Sequence, residues 1–233
     1  MSTTRFCLIR HGETTWNTER RLQGHTDTPL NSRGEIQARQ MAQALKNANL
    51  SFDILYSSDL QRAVNTANAI EQLFGVQATI ESALRERHFG VLQGLSIEQA
   101  PIAHPAIWQA HIARELDHDL AGGESILQFA ARVEGVIEKL RMLHSVQFAA
   151  RVEGVIEKLR MLHSGKTILL VSHGGTLDMM YRIASKQSLG SERIVSVPNA
   201  SLNWIVHNDQ GWSVERWADT RHLEDGALEN VDL

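Results

Sequence analysis

Short apolar runs alternate with amphipathic stretches along this 233-residue chain. Apolar runs bounded by Gly, Pro, Asn, Asp or Ser are typical of strands that lie buried in a sheet. They predict four strands, at 5–10, 53–56, 167–172 and 202–207. Alternation of such strands with helices indicates a mainly parallel sheet with helices packed on it. The expected fold class is therefore a three-layer α/β/α arrangement.

Two helices are expected beside the first strands. Apolar residues recur at helical spacing from Ala38 to Leu45, between the first two strands. After the second strand, Asp59 is expected to cap a helix that runs to Phe74. Segment 86–123 contains scattered His, Pro and Gly, and we interpret it as an irregular insertion that forms a lid or rim over the sheet.

A letter-for-letter repeat lies in the second half of the chain. The sequence QFAARVEGVIEKLRMLHS occupies 128–145 and again 147–164, so that 127–145 and 146–164 form a tandem duplication. Solenoids need at least about three diverged copies, so two identical copies indicate a recent or engineered duplication instead. Each copy carries an apolar helical stripe, formed by Phe129, Val133, Val136, Ile137 and Leu140 in the first and by Phe148, Val152, Val155, Ile156 and Leu159 in the second.

The two stripes cannot face one core from a single straight helix. A helix turns by about 100° per residue, so the second stripe would be rotated well away from the first. Three arrangements are open: one copy loops out, one long helix projects from the fold, or the surplus stripe packs on another molecule. We favour the third, because an exposed apolar stripe needs a covering partner. A homodimer or a domain-swapped oligomer is therefore expected.

The composition narrows the possible classes of protein. With 42% hydrophobic and 21% charged residues, the whole chain, 1–233, is expected to form one globular domain. The net charge of −4 and the lack of long Lys or Arg runs argue against nucleic acids and anionic membranes as partners. No apolar run is long enough for a membrane span or a secretory signal. A lone cysteine, Cys7, cannot form an internal disulfide, so a cytoplasmic location is expected.

Cationic and imidazole side chains stand where three of the predicted strands end. Arg10 and His11 follow the first strand, Arg62 lies one turn into the next helix, and His173 follows the third strand. Ligands bind beyond the carboxyl ends of strands in such sheets. Arg10, Arg62 and a protonated His173 would donate hydrogen bonds to a tetrahedral dianion. A neutral nitrogen of His11 could then attack phosphorus and become phosphorylated, and this chemistry needs no metal.

The leaving alkoxide of such a reaction needs a proton, and Glu86 is the candidate donor. The charge of a bound phosphate would favour the protonated form of its carboxyl group, whereas Arg85 and Arg87 oppose this effect. The competing interpretation is an ordinary surface cluster of ion pairs.

Two further patterns are not interpreted as ligand sites. His104, His111 and His118 recur at a constant spacing of seven residues, whereas metal-binding pairs on helices usually stand three or four residues apart. They are expected to be surface histidines. The pair Gly174-Gly175 lacks the spacing of a dinucleotide-binding loop. We therefore expect neither a metal nor a nucleotide cofactor.

Five motifs resemble one known family. In chain order, LIRHGETTWN, YSSDLQRAVNTA, LRERHFGVLQGLS, GGES and VSHGG resemble the histidine phosphatase superfamily, which includes the cofactor-dependent phosphoglycerate mutases. The resemblance spans almost the whole chain apart from the duplication, and it implies a phosphoglycerate mutase-like fold. Its implied roles are nucleophile for His11, phosphate binding for Arg10, Arg62 and His173, proton donation for Glu86, and substrate-side contacts for Asn17, Gln23 and Gly24.

The family contains mutases and phosphatases, and the chain has features of both. ERHFGVLQGLS is similar to mutases, whereas SHGGTLDMM and the C-terminal ADTRHLEDGALENVDL are similar to compact phosphatases and the so-called mutase-B branch. The favoured function is cofactor-free, acid-type hydrolysis of a small phosphorylated metabolite. Two alternatives stay open: a 2,3-bisphosphoglycerate-dependent phosphoglycerate mutase, and a non-catalytic interaction protein on a phosphatase-like scaffold.

Overall fold

A six-stranded sheet forms the centre of the computed structural model, which describes residues 3–145 and 166–223. The strands are β1 (Thr4–Arg10), β2 (Ile54–Ser57), β3 (Thr79–Ile80), β4 (Thr167–Ser172), β5 (Leu202–Asn208) and β6 (Gly211–Asp219). Their order across the sheet is β3-β2-β4-β1-β5-β6. The first four strands are parallel, and β5 is antiparallel to both of its neighbours. The predicted mainly parallel sheet is confirmed.

Helices cover both faces of this sheet. They are α1 (Thr15–Thr18), α2 (Ser32–Asn47), α3 (Gln61–Phe74), α4 (Ala100–Ala103), α5 (Pro105–Ile112), α6 (Ile126–Ser145) and α7 (Gly174–Ser185). Successive side chains of a strand point to opposite faces. Cys7 and Ile9 of β1 therefore join one buried cluster with α2 and α3, while Phe6 and Leu8 join another with α6 and α7. These two clusters make the three-layer arrangement.

The first copy of the repeat supplies most of α6. Its apolar stripe, from Phe129 to Leu140, is buried in the cluster shared with α7. Ser125 begins the helix with a reciprocal pair of bonds, because Gln128 N–H donates to Ser125 Oγ (3.1 Å) and Ser125 N–H donates to Gln128 Oε1 (2.8 Å). The second copy, 147–164, and the expected packing of its stripe on another molecule lie outside the described residues.

The predicted cap of α3 is wrong. The helix begins after Leu60, whose side chain has no hydrogen-bond acceptor. The Asp59 carboxylate instead accepts a hydrogen bond from Arg85 Nε at 2.7 Å and forms an ion pair with the same guanidinium. Arg85 thus engages the carboxylate through a charge-assisted bond and an ion pair. A contact from distant sequence therefore overrides the local signal.

Segment 86–123 is more regular than expected. It contains α4, α5 and a 3-10 turn at Gly90–Leu92, and a small apolar cluster that includes Phe89 and Trp108 packs inside it. Helices this short do not show enough turns for a periodic apolar pattern. None of the helices in the described part of the chain has the length and apolar character that crossing a bilayer requires.

Candidate active site

Three strand ends bring His11, Arg62 and His173 together. β1 and β4 pair in parallel up to Arg10 and Ser172, so the two histidines follow adjacent strand ends. Their ring centroids are 5.2 Å apart. Arg62 reaches the same place from the start of α3, and its Nε donates to His173 Nδ1 at 3.2 Å. The three side chains expected at a shared crevice therefore lie next to one another.

His11 presents a neutral imidazole to this crevice. Its Nδ1 lies 2.7 Å from the carbonyl oxygen of Gly12. A carbonyl can only accept, so Nδ1 carries the proton and Nε2 carries the lone pair. Burial holds the pKa of His11 well below its usual value, and the charges of Arg62 and Arg10 lower that pKa further. The ring is thus in the nucleophilic form at neutral pH.

His173 is also neutral in the protein without a bound ligand. Because Arg62 Nε donates to Nδ1, the proton of the neutral ring is on Nε2, which lies 2.9 Å from Ser58 Oγ. Burial is the main cause that lowers the pKa of His173, followed by the charge of Arg62. The expectation of a protonated His173 concerns the protein with a bound dianion, and it stays a prediction. A bound dianion would favour the protonated form.

The two arginines are held by backbone carbonyls. Arg10 is buried, and its Nη1 donates to Val197 O at 2.7 Å. Arg62 donates from Nη1 to Thr26 O (2.8 Å) and from Nη2 to Gly24 O (2.7 Å). Gly24 has φ +52°, and a Cβ there would lie 2.2 Å from Gln93 Oε1. Gly24 therefore orients Arg62 through its carbonyl, in a left-handed backbone conformation that favours glycine.

Asn17 and Gln23 are buried polar side chains. Their carbonyl oxygens lie 3.1 Å and 3.0 Å from the hydroxyl of Thr14. Asn17 Nδ2 and Gln23 Nε2 have no hydrogen-bond partner among the described residues. Buried donors of this kind are costly unless a ligand or water accepts their bonds. Both amide groups therefore keep unused donors among the described residues.

Glu86 is buried and held at both carboxyl oxygens by backbone amides. The N–H of Arg87 donates to Oε1 and the N–H of Gly175 donates to Oε2, each at 2.8 Å. Arg132 Nη2 and His25 Nε2 donate to the Glu86 carbonyl at 3.1 Å and 2.8 Å. This geometry differs from a surface ion-pair cluster. It anchors the carboxyl group on the turn that follows His173.

Comparison with known proteins identifies the family. The profile of the histidine phosphatase superfamily (branch 1) matches residues 6–147 and 142–220. The chain belongs to this superfamily. A metal-independent phosphoserine phosphatase of Arabidopsis thaliana is 34% identical over 223 residues, which cover 94% of this chain and 83% of that protein. The probable phosphoglycerate mutase GpmB of Salmonella choleraesuis is 32% identical over 229 residues, covering 96% and 97%.

A solved structure extends this relation to the fold. The mycobacterial glucosyl-3-phosphoglycerate phosphatase superposes with a TM-score of 0.76 at 26% identity, over 94% of this chain and 100% of that chain. The predicted phosphoglycerate mutase-like fold is confirmed. The chain is an enzyme of the histidine phosphatase type, and mutase activity is compatible with the same family.

Three contacts of the site were not predicted. Ser58 faces His173, Thr66 Oγ1 accepts from Gly12 N–H at 3.0 Å, and Asn199 Nδ2 donates to His11 O at 3.0 Å. Ser58 and Thr66 lie within the motif YSSDLQRAVNTA, so the sequence could have indicated that they belong to the site. Asn199 lies in the loop before β5, where no periodicity or motif marks it.

Gly175→Ala is expected to lower kcat by about 10² while the protein stays folded. A Cβ at Gly175 would lie 2.3 Å from Glu86 Oε1, so the carboxyl group must move. Displacement of a catalytic group by about 1 Å can cost about 10² in rate. The measurement is steady-state phosphate release together with a thermal melt. Gly135→Ala is the matched control, because among the described residues nothing lies within 4 Å of its added Cβ. Equal rates in the two variants would contradict the role of this turn.

His111 is not the surface histidine that was predicted. Its ring is buried between Phe89 and Trp108, with centroid distances of 5.5 Å to each. Neither ring nitrogen has a hydrogen-bond partner among the described residues. Burial is the largest cause that lowers the pKa of His111 to about 3. Folding therefore opposes protonation of this ring.

His111→Leu is expected to weaken the acid sensitivity of folding. The unfolded ring has a pKa of about 6.5 and binds a proton as the pH falls, whereas the folded ring does not. This difference removes about 2 kcal/mol of the free energy of unfolding between pH 7 and pH 5. Urea unfolding should show that the free energy of unfolding falls less from pH 7 to pH 5 in the variant than in the original protein, by about that amount. His111→Phe, which keeps an aromatic ring, should behave alike. An unchanged pH dependence in both variants would rule out this account.

Proposed function

We propose that the protein hydrolyses small phosphate monoesters through a phosphohistidine on His11, without a metal or an organic cofactor. The observation that carries this proposal is the position of the His11 Nε2 lone pair beside Arg62 and His173. A neutral nucleophile close to the charges of Arg62 and Arg10 suits attack on a phosphate dianion. The buried Cys7 agrees with a cytoplasmic location, which is part of the proposal.

The first half-reaction transfers the phosphoryl group to the protein. His11 Nε2 forms the bond to phosphorus while the bond between phosphorus and the ester oxygen breaks. That oxygen takes a proton from the Glu86 carboxyl group and leaves as an alcohol. Arg10, Arg62 and His173 hold the phosphoryl oxygens, where charge accumulates in the transition state. The unpartnered amide groups of Asn17 and Gln23 are additional donors to these oxygens.

The second half-reaction returns the protein to its starting form. The Glu86 carboxylate takes a proton from water, and the water oxygen bonds to phosphorus as the bond to His11 Nε2 breaks. Inorganic phosphate leaves, and both Glu86 and His11 regain their first protonation states. The N–H groups of Arg87 and Gly175 hold both carboxyl oxygens of Glu86, so the carboxylate left by the first half-reaction is fixed in position for this step.

Turnover of an aryl phosphate in excess chelator tests the proposal. We expect release of inorganic phosphate at the same rate with and without chelator. Loss of activity on chelation, or no turnover at all, would overturn the proposal, and absence of turnover would favour a non-catalytic interaction protein. A second assay supplies 3-phosphoglycerate with a 2,3-bisphosphoglycerate primer. Interconversion of phosphoglycerates faster than phosphate release would identify a mutase instead.

A further inference from the structure

Arg132, on helix α6, holds the backbone of the segment that carries Glu86. Its Nη1 donates to Ala83 O at 3.0 Å and to Arg85 O at 2.9 Å. Its Nη2 donates to Glu86 O at 3.1 Å. One side chain therefore bonds to three carbonyl groups within four residues of chain.

Glu124 fixes the Arg132 guanidinium group from the other side. Arg132 Nε donates to Glu124 Oε1 at 2.7 Å, and Nη2 donates to Oε2 at 2.6 Å. Such a two-point pair between a guanidinium group and a carboxylate fixes geometry as well as charge. Together with the three carbonyl bonds, these contacts use all five N–H groups of the side chain. Glu124 Oε2 also accepts the His88 N–H at 2.9 Å, so the pair is tied to the chain just after Glu86.

The bond from Arg132 to the Glu86 carbonyl also determines where the Glu86 carboxyl group lies. The carbonyl of Glu86 and the N–H of Arg87 belong to one planar peptide group, so fixing the direction of one fixes the direction of the other. That N–H donates to Glu86 Oε1 at 2.8 Å. His25 Nε2 is a second donor to the same carbonyl, at 2.8 Å. Arg132 therefore acts on the carboxyl group through the peptide that follows it.

We propose that Arg132 is the positioning residue of the proton donor: it fixes the peptide between Glu86 and Arg87 and so holds the Glu86 carboxyl group at the leaving oxygen. This inference rests on the proposed function, since it concerns the proton transfer of the same reaction. Lysine cannot replace Arg132, because a single ammonium nitrogen with three N–H groups cannot span Glu124 and three carbonyl groups.

The test replaces two arginines, because the second copy of the repeat carries the same residue at Arg151. In the Arg132→Gln/Arg151→Gln protein we expect kcat/KM for glycerol 3-phosphate to fall by about 10², the cost of moving a catalytic group by about 1 Å. For p-nitrophenyl phosphate, whose leaving group needs no proton, kcat/KM should fall much less. If glutamine prevents folding, as judged by a thermal melt, lysine at both positions should lower the ratio of the two kcat/KM values in the same direction.

Two single variants are the matched controls. Arg151→Gln alone should keep both kcat/KM values. Arg141→Gln should also keep them, because Arg141 lies on the same helix and its Nε donates to Glu138 instead. Loss of activity with Arg151→Gln alone would overturn the assignment to Arg132. Equal losses with the two substrates in the double variant, or no loss, would overturn the inference, while hydrolysis by the original protein would leave the proposed function intact.

Amide hydrogen exchange, followed by NMR without substrate, tests the positioning independently of turnover. The N–H groups of Arg87 and Gly175 hold the Glu86 carboxyl group. In the double variant they should exchange at least about 10-fold faster, the effect of lost hydrogen bonds to a charged group, while the amides of β4 keep their rates. This result would support the inference even if the original protein hydrolyses neither ester and the proposed function fails. Unchanged exchange at both amides would overturn the inference.

Discussion

His11→Asn loses about 10⁴ or more of its phosphate-release rate with every phosphate monoester, because the covalent step disappears. The arginines remain, so the variant still binds substrate. Asparagine can also donate a hydrogen bond to the Gly12 carbonyl in place of Nδ1, which limits structural disturbance. Steady-state phosphate release and a thermal melt measure the two effects separately.

His207→Asn is the matched control for this loss. His207 lies on β5 opposite Thr4, at the start of β1, whereas His11 follows the end of β1. The same substitution there should leave phosphate release unchanged. A folded His11→Asn protein with more than about a tenth of the original activity would be incompatible with a histidine nucleophile.

Glu86→Gln has the second largest expected effect, and the size of the loss depends on the leaving group. General acid catalysis contributes about 10²–10⁴, so hydrolysis of glycerol 3-phosphate should fall by that range. p-Nitrophenyl phosphate releases a stable phenolate that does not need a proton, so its kcat/KM, which reports only the first half-reaction, should fall much less. The ratio of the two kcat/KM values is therefore the informative measurement, because the second half-reaction, in which Glu86 activates water, is the same for both substrates.

The control for this ratio is Glu134→Gln, at an exposed position of α6. It should leave both rates unchanged. Glutamine at position 86 keeps the shape of the side chain but cannot accept from both the Arg87 and the Gly175 N–H groups. A purely structural effect of that lost bond would slow both substrates equally. Equal losses of kcat/KM would therefore exclude Glu86 as the proton donor.

The strands around the site could be predicted because they are buried on both faces. β1 and β4 are nearly continuous apolar runs. His11 directly follows β1, and His173 directly follows β4. The parallel arrangement then places their carboxyl ends on one edge. The motifs therefore predict that His11 and His173 lie at the same edge of the sheet.

Elements at the edges of the sheet could not be predicted in the same way. β3 has only two residues, Thr79 and Ile80, and both are exposed. β6 alternates partly buried and exposed positions without a fully buried residue, so it has no apolar run. The environments of Asp59 and His111 could not be predicted either, because they depend on residues that are distant in sequence. Asp59 pairs with Arg85 and does not cap α3, and His111 is buried.

Protonation states also depend on contacts that the sequence does not contain. The neutral form of His173 follows from its burial and from the bond that Arg62 donates to Nδ1. The orientation of Glu86 follows from the Gly175 amide, far away in sequence. The motifs identified the participants, whereas their hydrogen-bond directions come from the fold.

Rapid acid-free quenching of the reaction with a radiolabelled phosphate monoester tests the central claim most directly. Base-stable, acid-labile label should appear on the protein within the first turnover, and peptide mapping should place it on the peptide that contains His11. The label should be absent from the His11→Asn protein. Turnover without any labelled protein, or label on a different residue, would contradict the account.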